Sequence, residues 1–145
     1  MRRRGRANWL VVLGLIGMVV IVVLFLIGGR SATSVAAEFM SALGKHDVAK
    51  LTELSYMDGD TPEEVRKKWT YTTEVAAPYY RFRWQFLGES SAAPDTSAVR
   101  LWVWRDAQSP ASYEEKFEIP MVKVDGQWKV DVRGLNRLMY PGLPR

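Results

Sequence analysis

The chain has 145 residues, 48% of them hydrophobic and 25% charged, which are ordinary globular values; they predict one domain able to bury a core and exclude disorder over most of the length. Four of its 20 basic residues, Arg2, Arg3, Arg4 and Arg6, stand at the N-terminus, and the 16 that remain equal the 16 acidic ones, so the domain lacks the surplus positive charge that nucleic-acid binding requires. Cysteine is absent, which excludes disulfides, thiolate metal sites, catalytic thiols and a lipidated N-terminal Cys.

Trp9 to Ile27 carries no charge and is dominated by Leu, Ile, Val and Phe, a length that matches the roughly 30 Å hydrocarbon core of a bilayer. The run exceeds the roughly 7–15 apolar residues of a secretory signal and ends in Gly28, Gly29 and Arg30, so it reads as an uncleaved anchor; the small residues Ser31 to Ser34 leave cleavage as the alternative. Arg2, Arg3, Arg4 and Arg6 form a topology signal that keeps the N-terminus cytoplasmic and sends the chain beyond Arg30 out, to the periplasmic side of a bacterial inner membrane. Gly14 and Gly17 share a helix face on which another backbone could pack closely. The expected division is a basic tail over 1–8, a transmembrane helix over 9–29, a linker over 30–33, an extracytoplasmic domain over 34–140 and a tail over 141–145.

In the domain, Ser34 reads as an N-cap before Val35, Phe39 and Leu43, with Gly44 as the stop of a first helix. Asp47 caps a second helix with the stripe Val48, Leu51 and Leu54, and Thr61-Pro62-Glu63-Glu64 is a capping-box signature opening a third, which must end before Pro78. The period then becomes two. Tyr80, Phe82, Trp84 and Phe86 alternate with Arg81, Arg83, Gln85 and Leu87, and Ser90 to Ser97 reads as a loop. A second strand over Ala98 to Arg105 sets Trp102 and Trp104 against Val99, Leu101 and Val103, and a third, Tyr113 to Val124, meets a bulge or an edge at Pro120. Asp125-Gly126 turns into a fourth strand with Trp128, Val130 and Val132 inward, and Leu135 to Tyr140 is expected to add a last helical turn. The predicted class is α+β, with about three helices on a four-stranded antiparallel sheet behind one transmembrane helix.

The stretch Val35 to Asp47, the run Val48 to Leu54 and the closing Val124-Asp125-Gly126-Gln127-Trp128-Lys129-Val130 resemble the opening helix pair and last hairpin of the nuclear transport factor 2-like (cystatin-like) superfamily, and are most similar to its small membrane-anchored bacterial members of unassigned function. The resemblance implies a cone-shaped fold with room for a pocket between sheet and helices, and no particular activity. Enzymes of that superfamily place a carboxylate and tyrosines inside the cone, whereas the inward positions here read as Phe, Trp and Val, so no catalytic residue carries over.

His46, the only histidine, reads as a solvated turn residue. Asp58 and Asp60 open like a calcium loop but lack its later Gly and Glu, so no metal and no cofactor is expected. Tyr80, Trp84, Trp102 and Trp104 belong to an aromatic set that serves core packing, an interface or a pocket. The expected function is a non-enzymatic accessory or stabilising subunit of a larger membrane complex, of respiratory or photosynthetic type, with the lipid bilayer and integral membrane subunits as partners. The alternative is a membrane-tethered ligand-binding or enzymatic domain using the cone pocket.

Overall fold

The structure is a computed structural model that describes residues 18–19, 29–105 and 114–145. Of the expected span 9–29 only Met18, Val19 and Gly29 are described; the arginine cluster Arg2, Arg3, Arg4 and Arg6 and the pair Gly14 and Gly17 lie outside the described residues, among which no helix is long and apolar enough to cross a membrane.

Helix α1 (Ala32–Lys45) begins a turn earlier than expected, because Ser31 and not Ser34 caps it: the Ser31 hydroxyl accepts from the Ser34 amide at 3.1 Å, and the Ser34 hydroxyl donates back to the Ser31 carbonyl at 2.9 Å. Its stop is also displaced. Gly44 stays helical, and His46 takes the left-handed conformation at φ 57°, its amide reaching the Ala42 and Leu43 carbonyls. Helix α2 (Val48–Leu54) is capped by Asp47, whose Oδ1 accepts from the Lys50 amide at 3.0 Å. Helix α3 (Pro62–Tyr71) carries the complete capping box: Thr61 Oγ1 accepts from the Glu64 amide at 3.3 Å and Glu64 accepts from the Thr61 amide at 2.7 Å. That amide holds the Glu64 carboxyl below its ordinary range. A π-helical turn, Thr72–Ala76, extends α3 to the edge of Pro78.

Strands β2 (Phe82–Ala93), β3 (Thr96–Arg105), β4 (Glu114–Val124) and β5 (Gln127–Asp131) form the expected antiparallel meander. A two-residue strand β1 (Ser55–Tyr56), directly after α2, adds parallel to β5 with Ser55 opposite Val130. The sheet is therefore five-stranded and mixed, in the order β1-β5-β4-β3-β2, and not four-stranded and antiparallel. Two residues show no hydrophobic period, so β1 leaves no trace in the sequence pattern. The loop expected over Ser90 to Ser97 is mostly strand, because Ser90 pairs Ala98, Ser91 pairs Ser97 and Ala93 pairs Thr96. Pro120 sits within a continuous β4, opposite Ala98 on β3, one residue beyond the stretch Met121–Val124 that β5 pairs; its missing amide costs the ladder nothing there. Gly134 passes against it so closely that a Cβ would fall 2.9 Å from the proline ring.

Helix α1 lies across one face of the sheet, touching β2 through β5. Between them Phe39, Met40, Leu43, Leu51 and Trp69 meet Val99, Leu101, Val103, Ile119 and Val130, every one of them 0% exposed. Burial of this kind stabilises by roughly 1.5–3 kcal/mol per large apolar side chain. Met139, Tyr140 and Leu143, beyond the last strand, join the same core.

Candidate functional site

Strand alternation gives the sheet two faces, and the register assigns each residue to one. Facing the helices are Trp84 opposite Val103, Phe86 opposite Leu101, and Leu101 opposite Phe117. Tyr80, Phe82 and Tyr140 close one end of this space edge to face, with ring centroids at 5.1 Å for Tyr80–Tyr140 and 5.6 Å for Phe82–Tyr140. Trp84 and Phe86 tilt against each other at 4.9 Å, and Phe39 meets Trp69 at 5.7 Å.

Polar groups on this side are already committed. Trp69 Nε1 donates to Ser55 Oγ at 2.8 Å. Arg105 pairs with Glu115 and donates to the Leu138 carbonyl at 3.0 Å, which ties the segment after β5 to the sheet. Glu89 accepts from Thr33 at 2.6 Å and from Ser97 at 2.8 Å, and these donors hold its carboxyl below the ordinary range. The Tyr140 hydroxyl lies 3.1 Å from His46 Nε2, and burial, together with Tyr80, pushes its pKa up to about 12. His46 is thus a helix cap and a partner of a core tyrosine, not a free turn residue. Among the described residues, every buried side-chain nitrogen and oxygen has a hydrogen-bond partner, and no group of three or more His, Asp or Glu is placed to hold a metal ion.

No described helix lies on the other face. Trp104 stands opposite Arg83 and Trp102 opposite Lys116, with Gln85 on the far side of Trp102. The Lys116 ammonium lies 4.8 Å from the Trp102 ring centroid, and the Arg83 guanidinium lies 6.0 Å from that of Trp104. A bulge between Phe86 and Gly88 exposes Leu87, and Gly88, at φ 150°, lets the Arg100 guanidinium lie across it, 3.5 Å from where a Cβ would stand. Leu87, Arg100, Lys116, Glu118 and Asn136 line a concavity of about 490 Å³.

The four aromatics singled out in the sequence therefore do not form one site. Tyr80 and Trp84 pack against the core, while Trp102 and Trp104 lie half-buried on the opposite face. The sequence reading missed the Arg105–Glu115 pair, the Glu89 cluster and the His46–Tyr140 contact. Alternation on β3 and β4 carried the signal for the first, since it puts both residues on the Val103 face; the other two join elements too distant in sequence to leave one.

No family model matches the chain and no curated protein matches it. Solved structures do. A protein from Thiobacillus denitrificans, provisionally assigned as a calcium/calmodulin-dependent protein kinase type II association domain, is 9% identical over 70% of this chain and 90% of its own, with a TM-score of 0.52. A domain of unknown function with a cystatin-like fold from Nostoc punctiforme is 5% identical over 67% of this chain and 68% of its own, with a TM-score of 0.50. An NTF-2 like protein of unknown function from Shewanella oneidensis is 8% identical over 68% of this chain and 89% of its own, with a TM-score of 0.49. At these identities the likeness concerns architecture alone: the described domain has a cystatin-like fold.

Proposed function

We propose that this chain is a non-enzymatic accessory or stabilising subunit of a larger membrane-protein complex, anchored by residues 9–29 with its α+β domain on the extracytoplasmic side. One observation carries the reading: among the described residues, the chain's own side chains, Val99, Leu101, Val103, Ile119, Phe39 and Trp69 among them, pack the core between helices and sheet, and every buried side-chain polar atom has a partner. A ligand-binding or catalytic cone keeps a concave space with convergent, unspent polar groups. A domain whose interior is filled acts through its surface.

The test is purification of the full chain from source membranes in mild detergent, followed by native mass spectrometry. One or more integral membrane polypeptides are expected at fixed stoichiometry with it. Recovery of the chain alone, or of the chain with a small molecule held by the domain, overturns the reading, and the second outcome moves it to a tethered ligand-binding domain.

A further inference from the structure

We propose that the outer face of β2, β3 and β4 is the docking surface for an acidic segment of a partner polypeptide, which Arg83, Arg100 and Lys116 hold over the Trp102–Trp104 pair. The proposal rests on the accessory-subunit reading and names its contact surface and the chemistry of the partner.

Off this face one cation also lies over an indole, Lys123 at 5.2 Å from the Trp128 ring centroid, but several others are paired with carboxylates: Lys68 and Arg133 share Asp60, Lys50 pairs with Glu53, and Arg105 pairs with Glu115. On the outer face, among the described residues, the cations take other positions. Arg83 and Lys116 lie over indole rings, and Arg100 turns across Gly88 although Glu118 stands opposite it in register. Indole faces are weaker partners than carboxylates, so an incoming Asp or Glu can take each cation while the ring beneath keeps its apolar contact. Three cations face Glu114 and Glu118 on β4, leaving an excess of positive charge on this face of an otherwise balanced domain. Half-buried Trp102 and Trp104, with no described element above them, supply the rigid aromatic area that interface centres use. The concavity beside Leu87 has room for one apolar side chain of the same segment.

A photo-crosslinking amino acid at Gln85, which stands opposite Trp102 on this face, tests the proposal in the full chain in its own membranes. The expected adduct joins a polypeptide of the co-purifying complex within an Asp- or Glu-bearing stretch, as mapped by peptide mass spectrometry. The double charge reversal Arg83→Glu with Lys116→Glu should lower adduct yield about tenfold or more, since like-charge juxtaposition across an interface is strongly unfavourable. Lys67→Glu, on α3, should leave the yield unchanged, and circular dichroism should show all variants folded. An adduct between two copies of this chain, an adduct to a stretch without acidic residues, or no adduct while the complex still co-purifies each overturns the docking surface and leaves the accessory reading intact. Absence of any co-purifying polypeptide overturns both.

Discussion

Strand β3 shows both sides of this domain within ten residues. Val99, Leu101 and Val103 are fully buried, while Trp102 and Trp104, larger and interleaved with them, remain partly exposed. Size and hydrophobicity therefore do not decide which residues go inside. Parity along the strand decides it, because successive side chains point to opposite faces and only one face receives the helices. The aliphatic face fills a close-packed interior, where each methylene has neighbours on all sides. On the indole face the Arg83 guanidinium and the Lys116 ammonium lie over the Trp104 and Trp102 rings, and no described helix covers them. Stability should reside in the first set and recognition in the second.

The sharpest way to break this division is truncation on the inner face. Leu101→Ala should cost about 2–5 kcal/mol in denaturant unfolding of the full chain, since the site is enclosed by Phe86, Phe117 and α1 and cannot collapse. A cost near zero would mean that the sheet and helices are not packed as described.

The next effect comes from pH. Tyr140 titrates at about 12 in the fold against an ordinary 10.0, because burial and Tyr80 disfavour its phenolate. A folded value raised above the unfolded one means stability fully present below pH 10 and drained as pH rises toward 12, a loss on the order of 2–3 kcal/mol at 1.36 kcal/mol per pH unit. Tyr140→Phe should remove that alkaline limb while costing about 1 kcal/mol at neutral pH for the lost bond to His46. An unchanged alkaline limb would show that the ring is not enclosed.

Glu89 supplies the opposite limb, more weakly because it is exposed and screened. The hydrogen bonds from Thr33 and then Ser97 lower its folded value, so its contribution is present above the ordinary carboxylate range and is lost as pH falls through the lowered one. Glu89→Gln should flatten the acid side of the stability profile, and a profile identical to the parent's would remove Glu89 from the account. Smallest of all is the outer face. Trp102→Ala should cost under about 1 kcal/mol in stability, the scale of an exposed cation–π pair, while weakening association with a partner. A cost comparable to that of Leu101→Ala would erase the distinction between the faces.

Most local structure could be read directly from the chain. The capping box at Thr61, the Asp47 cap, the apolar stripe of α1 and the Asp125-Gly126 turn are short-range chemistry, each settled by residues within about one turn of one another, and each appears where expected. Errors fell where a choice among neighbours depended on distant groups. Ser31 prevails over Ser34 as cap of a helix whose first residue, Ala32, is buried in the core, and Ser90 to Ala93 is strand because β3 offers a ladder to pair with. Neither choice can be made from composition, which marks both segments as loop-like.

The candidate site divides along the same line. Amino-acid sequence alone determined the class of the domain, the order of its helices and meander, and the alternation that separates Trp102 and Trp104 from Val99, Leu101 and Val103, because periodicity, caps and turns act over a few residues. Tertiary structure decided that Tyr80 and Trp84 belong to the core side while the β3 tryptophans face outward, that β1 joins β5, and that Tyr140 returns to meet His46 and Tyr80. Those outcomes depend on which face of the sheet the helices cover and where the segment after β5 comes to rest. Both are set by long-range packing, whose energy is shared among many residues and leaves no local mark.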